Sequence, residues 1–327
     1  MAKYLFRKAI SWLIVVVLAT NLAYLMAASF LDPRSNYAGR RPPLSAEQIA
    51  DILTPLNLNP DVPLPQRWWE WFQGVVLHWD WGSSPVGDAV GAQVGHRMMV
   101  SAQLLLLATL LSVVMGVAVG VYTASRQYQR GDRVWQGVSI ILMNTHVVVA
   151  SLVVVGAGLW INRVTGLRIF YVTGATSPDV TGFLPRLLNT GQHLLLPTIA
   201  LVAISYAGYH MMQRSLLLDN ISADYVRTAR AKGLTRNQAV RRHALRTSII
   251  PVATSVAFSI PGIFTGAVMT EQIFAWNGMG QYFIQTISRN DVHGATAVAA
   301  FSALMVGVSA VLADLFVVIL DPRVRVS

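Results

Sequence analysis

Residues 222–246 read SADYVRTARAKGLTRNQAVRRHALR. This is the only long polar, basic stretch in the second half of an otherwise apolar chain. Arg227, Arg230, Lys232, Arg236, Arg241, Arg242 and Arg246 are opposed only by Asp224. Ser222 can cap a helix, and Asp224 in the first turn suits the positive end of its dipole. Tyr225, Val226 and Ala229 recur at helical spacing. Gly233 then permits a left-handed stop. Thr235 and Gln238 form a T-x-x-Q capping box that restarts a helix, on which Ala239, Val240, His243 and Ala244 make an apolar stripe. The stretch therefore predicts helix, glycine turn, helix, held at a membrane face between two hydrophobic runs. Read without a function, the same residues are a positively charged cytoplasmic loop that sets topology.

Working outward, the chain has 327 residues, of which 54% are hydrophobic and 12% charged. Soluble domains carry about 25% charged residues, so composition predicts an integral membrane protein, and its apolar runs of helix-spanning length make it an all-α one. Cysteine is absent, which excludes disulfides, iron–sulfur clusters and thiolate metal sites. The net charge of +10 is what cytoplasmic loops loaded by the positive-inside rule produce.

An apolar run from Ile10 to Phe30 follows Lys3, Arg7 and Lys8. It is longer than the ~7–15 residues of a signal peptide and predicts an uncleaved first span; Ala27-Ala28-Ser29 is the feature that would suit cleavage. Five further spans are predicted at 98–124, 134–161, 192–219, 247–271 and 293–320. Of the 25 Lys and Arg residues, sixteen fall on the side of the termini and the 222–246 stretch and nine on the other, several of them in long loops. This puts the N- and C-termini in the cytoplasm.

The organisation predicted is an N-terminal tail and first span (1–30), a long external loop (31–97), a five-span core (98–320) and a cytoplasmic tail (321–327). The loop holds a short amphipathic helix candidate at Ser45–Leu53. Trp68, Trp69, Trp71, Trp79 and Trp81 suit either an interfacial belt or an external docking surface. Glu271 and Asp291 flank the last external segment and are placed at the interface.

No nucleotide-binding G-x-x-x-x-G-K-[ST] loop, metalloprotease motif or nucleophile elbow is present, so no catalytic residue and no metal ligand set is assigned. Polar side chains within spans are costly in lipid and tend to face a bundle interior or a water-filled cavity. On that ground Asn144, His146, Tyr206, Tyr209, His210, Gln213 and Ser259 are cavity-lining candidates. Interhelical hydrogen bonding is the alternative for each. Pro261-Gly262 and Gly266 allow a kink or close helix approach in the fifth span.

Asp224-Tyr225-Val226-Arg227-Thr228-Ala229-Arg230-Ala231-Lys232-Gly233-Leu234, followed by His243-Ala244-Leu245-Arg246 and Pro251, resembles the cytoplasmic loop of the B-type permease subunits of oligopeptide and dipeptide ABC importers. In that superfamily the loop carries an E-A-A motif followed, after three residues, by glycine. Here Arg227-Thr228-Ala229 and Gly233 occupy those places, with Arg227 for the glutamate and Thr228 for the first alanine. Glu271-Gln272-Ile273-Phe274-Ala275-Trp276-Asn277-Gly278-Met279-Gly280 resembles the family's segment before the last span, departing from it at Asn277 and Met279. Leu320-Asp321-Pro322-Arg323 resembles its terminal L-D-P-R.

The resemblance covers roughly residues 95–325 and, more loosely, the N-terminal span. It implies the six-span type I importer permease fold and a coupling helix through which Asp224, Tyr225, Arg227, Thr228, Ala229, Arg230, Lys232, Gly233 and Leu234 dock on an ATP-hydrolysing subunit. The implied partners are a second six-span permease, two ATP-binding subunits on the cytoplasmic side, which carry ATP and Mg, an extracellular or periplasmic solute-binding protein, and a peptide substrate. Close relatives take nickel chelates, glutathione or other small solutes. Two other classes compete. One is a membrane-tethered nucleic-acid binder, since helix–glycine–helix with seven basic residues mimics a helix-turn-helix; a recognition helix running straight into a span could hardly enter a groove. The other is a stand-alone ion-coupled carrier, which would need acidic residues mid-span.

Overall fold

The computed structural model describes residues 2–39, 41–178 and 180–320. The terminal Asp321-Pro322-Arg323 motif and the 321–327 tail lie outside the described residues. The described residues are helical, and the sole β pairing among them is a bridge between Ser83 and Ala89. The helices are α1 (Ala2–Phe30), α2 (Ala46–Leu53), α3 (Leu64–His78), α4 (Val90–Ser125), α5 (Arg130–Met143), α6 (Val147–Thr165), α7 (Phe183–Ile221), α8 (Asp224–Ala231), α9 (Arg236–Ala239), α10 (Leu245–Thr265), α11 (Val268–Ile273), α12 (Met279–Ser288) and α13 (Val292–Leu320).

Six stretches are long and apolar enough to cross a membrane: Phe6–Phe30, Val90–Ser125, Val147–Thr165, Phe183–Ile221, Arg236–Ile273 and Val292–Phe316. The protein is an all-α, multi-pass membrane protein with the predicted six spans. Two of the predicted spans need correcting. The single third span at 134–161 is broken at Asn144–Thr145–His146. There the Asn144 and Thr145 side chains bond back to the Ile140 and Ile141 carbonyls at 2.7 and 2.8 Å, and His146 caps α6 by accepting from the Val148 amide. Such side chains offer the backbone an alternative to continuing the helix. α5, at 14 residues, spans about 21 Å and cannot cross the ~30 Å hydrocarbon core alone. The fifth span, placed at 247–271, is interrupted at Gly266, whose φ of +91° ends α10.

The chain forms two compact units. The first draws on the chain up to Ala102 with Phe264–Glu271 and Asn277–Val308. In it the long loop folds onto the first and last spans. Leu53, Leu58, Tyr37 and Trp71 bury against Tyr24 of α1 and Val292 of α13, with Tyr24 stacked on Trp71 at 4.5 Å. The α2 helix begins with a Ser45/Gln48 capping box. The tryptophans divide: Trp71 is buried and Trp68 donates to Asn21 at 2.7 Å, whereas Trp69 and Trp79 stay exposed.

The second unit draws on Gln103–Ile263, Gln272–Trp276 and the chain from Ser309 onward. Its spine is α7, against which α5 and α6 pack. Gly116 and Gly120 let α4 approach α7 closely. A Cβ at Gly116 would collide with the Tyr209 Cβ and come within 2.8 Å of the Tyr206 carbonyl oxygen; one at Gly120 would come within 2.8 Å of the Gln213 Cβ.

Candidate functional site

The 222–246 stretch folds as a helical hairpin. α8 ends at Lys232, and Gly233 turns the chain with φ +94°, a region that costs an L-residue roughly 1–2 kcal/mol. Thr235 restarts the helix. Its hydroxyl accepts from the Gln238 amide, and the Gln238 side chain accepts from the Thr235 amide at 3.0 Å. α9 then runs through one π turn, Val240–Ala244, directly into α10.

Two details differ from the sequence reading. Ser222 closes α7 rather than capping α8, whose N-cap is Ala223 without a side-chain bond. His243 is exposed, because the extra residue of the π turn rotates it off the buried stripe. Tyr225 is also 43% exposed, with its hydroxyl on Asn220.

The hairpin has two chemically distinct faces. Val226, Ala229, Ala239, Val240 and Ala244 bury against Ala124 of α4 and Leu217 of α7, with Val121, Leu218, Ile221 and Leu234 around them. Burying Val226 and Val240 alone is worth about 1.5–3 kcal/mol each. This is what fixes the hairpin to the ends of two long helices. The seven basic side chains and Thr228 all face outward. The Asp224 pairing to Arg227, at 3.7 Å, lies in the open on the same surface. A two-sided element of this kind is held by its apolar face and presents a dense positive surface to whatever lies beyond it.

Behind the hairpin, α7 carries a row of buried polar side chains. Arg214 makes a two-pronged ion pair with Asp132 of α5, Nε to Oδ1 at 2.8 Å and Nη2 to Oδ2 at 3.0 Å. The Tyr128 amide and the Gln136 side chain complete the Asp132 carboxylate at 2.9 and 2.8 Å. The Arg214 hydrogen bonds hold this carboxyl below its usual range; burial opposes them, and the Tyr128 amide reinforces them. The residue before it, Gln213, donates to Ser248 of α10 at 2.9 Å. His210 lies between Ser139 of α5, at 2.6 Å, and Thr123 of α4, at 3.0 Å. The Thr123 hydroxyl already donates to the Val119 carbonyl, so the imidazole tautomer protonated on Nε2 satisfies both neighbours. Tyr206 ends the row within 3.4 Å of Ser139.

Of the sequence-derived polar candidates, Tyr206, His210 and Gln213 are thus brought together, buried within helix contacts, with Tyr209 half-buried beside Gly116. Asn144 and His146 sit exposed at the α5–α6 break, and Ser259 bonds within its own helix to Val256. Asp132 was missed by the sequence reading, although an acidic residue in the first turn of a helix between two arginines was its visible signal.

In the first unit, Glu271 is fully buried. It accepts from the Ser101 hydroxyl at 2.6 Å and the Gln281 amide at 2.9 Å, while the Ser101 oxygen accepts from the Met279 amide at 2.8 Å. Gly278 is obligatory there, since a Cβ would run into Ser101 and the Glu271 carboxylate. Asp291 is likewise buried, at 3% exposure.

Six membrane-spanning stretches and an exposed basic hairpin define a multi-pass helical membrane protein, and the comparisons make it a transport permease. Residues 116–326 match the family of binding-protein-dependent transport system inner membrane components, and the chain belongs to that family. Over its whole length it is 37% identical to the full-length oligopeptide transport system permease protein OppB of Mycobacterium tuberculosis. It is 29% identical to the oligopeptide transport system permease protein AppB of Bacillus subtilis, over 99% of this chain and all of the relative. It is 29% identical to the dipeptide transport system permease protein DppB of Escherichia coli, over 90% of each chain.

Proposed function

We propose that this chain is the transmembrane permease subunit of an ATP-driven peptide importer. It forms half of the translocation pathway and couples to ATPase subunits through 222–246. The observation that carries the reading is the hairpin itself: an apolar face fixed to α4 and α7, and a basic face left for a partner. The full-length likeness to oligopeptide permeases, and the likeness to a dipeptide permease over 90% of each chain, support peptide as the cargo; a nickel chelate or glutathione would use the same machinery.

The partners are a second six-span permease, two cytoplasmic ATP-binding subunits and an extracellular or periplasmic solute-binding protein. The chain itself is non-catalytic; ATP and Mg belong to the ATPase subunits. The N- and C-termini share the cytoplasmic side with the hairpin, in the inner membrane. Motion of the hairpin would reach the spans as a rigid-body shift, through the polar row on α7. Nucleic-acid recognition fits poorly, because α9 runs without a loop into α10 and cannot leave the bilayer surface.

The test is reconstitution of the assembled transporter in vesicles, measuring peptide-stimulated ATP hydrolysis and peptide uptake together. Coupled stimulation of both by peptide is expected. Uptake by this chain alone under a proton gradient, or salt-sensitive DNA binding without affinity for an ATPase subunit, would defeat the reading.

A further inference from the structure

The first unit contains a recess that the coupling scheme does not use. Its walls come from the loop before α4, the first two turns of α4, α12 and the residues after α12. Six side chains give it its chemistry: Asp88, Arg97, Tyr282, Gln285, Arg289 and Asp291. Arg97 lies over the Tyr282 ring at 5.4 Å and reaches Gln285 at 3.4 Å through Nη2. Its other terminal nitrogen, Nη1, is buried without a hydrogen-bond partner, and so is the Tyr282 hydroxyl, on a side chain only 7% exposed.

Across the recess, Asp291 accepts the Gly294 amide at 2.8 Å, and among the described residues no Lys or Arg side chain forms an ion pair with it. Burial pushes its carboxyl up to about 6, with the nearby Asp88 charge adding to the rise and Arg289 opposing it. Buried polar groups left in this way are the exception in folded proteins and mark places built for something else.

The two halves of the recess ask for opposite chemistry. Nη1 of Arg97 and the Tyr282 hydroxyl offer donors to an acceptor oxygen. Asp291 and Asp88 offer carboxylates to a cation. We infer that the recess binds an α-amino acid group: a primary ammonium on Asp291 and Asp88, and the adjacent carbonyl or carboxylate oxygen on Arg97 and Tyr282. The amino end of a peptide and a free amino acid share this chemistry. The inference rests on the importer reading in that both recess loops fall, by span alternation, in the external segments, where a substrate arrives.

The experiment uses the assembled transporter in lipid nanodiscs without the solute-binding protein and measures binding of trialanine, its C-terminal amide, N-acetyl-trialanine and alanine by calorimetry. Trialanine and the amide are expected to bind and the acetylated peptide to fail. Alanine binding as well as trialanine would assign the site to the amino acid group alone, within the same inference. Tyr282→Phe and Asp291→Asn should each weaken binding about tenfold or more. Discharging Asp291 by lowering the pH from 7.5 to 5 should weaken it by about tenfold. Where Asp291→Asn fails to assemble, Tyr282→Phe and the ligand series on the unaltered protein decide. Acetylated peptide binding as tightly as free peptide, unchanged affinity in Tyr282→Phe, or no binding of any of the four would overturn the inference. Peptide uptake by the same preparation is scored separately, so a transporter that imports peptide yet ignores the amino group sinks only this site.

Discussion

Arg214 and Asp132 show how much can hang on one pair of side chains. Asp132 is wholly buried and Arg214 nearly so, and two charges out of water are tolerated only when each is fully met. Removing one strands the other. Arg214→Met should destabilise the permease by about 3–5 kcal/mol, read as thermal unfolding in detergent, whereas the exchange Asp132→Arg with Arg214→Asp should recover part of the loss. The pH sign follows from the depressed Asp132 carboxyl. A lowered folded-state value gives stability that is present above the ordinary carboxylate pKa of about 3.9 and is lost as pH falls through the lower folded value. The gap in unfolding temperature between wild type and Asp132→Asn should therefore hold at pH 5 and close only in strong acid. Gly116→Val tests the α4–α7 approach: the added side chain has no room, and an overpacking loss of about 1–3 kcal/mol is expected. Sequence alone pointed to Tyr206, His210 and Gln213 because large polar groups at helical spacing in a greasy run are conspicuous. It could not pair Arg214 with Asp132, since a contact spanning 82 residues leaves no local pattern, and Arg214 reads equally well as one more topology-setting cation.

At the scale of elements, the hairpin was legible almost residue by residue. Gly233, the Thr235/Gln238 box and the buried Val226, Ala229, Ala239, Val240 and Ala244 all follow from local rules of capping and periodicity. What local rules could not give was the π turn, and with it the outward face of His243. The α5–α6 break was equally hidden, because Asn144, Thr145 and His146 read as well as polar residues inside one span as they do as its end; the side-chain bonds of Asn144 and Thr145 reveal it. The proposed coupling role makes a sharp prediction here. Gly233→Val places a β-branched residue at φ +94°, which such residues resist. The variant should insert and assemble normally, retain ATP hydrolysis, and lose most peptide uptake, measured as the ratio of peptide moved to ATP consumed. An unchanged ratio would count against the hairpin as the coupling element.

For the whole molecule, the lengths of the apolar runs were enough to give six spans and a helical class, because apolar length is read along the chain and needs no knowledge of packing. The burial of Glu271 was not legible: Ser101, whose hydroxyl it accepts, lies 170 residues away. The proposed orientation has a direct check that the chain itself makes easy, since it contains no cysteine. Lys232→Cys and Asp61→Cys can be introduced one at a time into the natural background, both at exposed sites. A membrane-impermeant maleimide should label Asp61→Cys in intact cells and Lys232→Cys only after the membrane is opened; the reverse pattern would reject the topology.

The π turn at Val240–Ala244 carries one more residue than an α turn would. Since an α-helix advances about 100° per residue, that surplus sets the compass bearing of Arg236 and its neighbours relative to the span they adjoin. Deleting a single residue there would leave every side chain in the arm chemically intact and swing its cationic front roughly a quarter-turn away, so that a partner would meet alanines and valines where it expects charge.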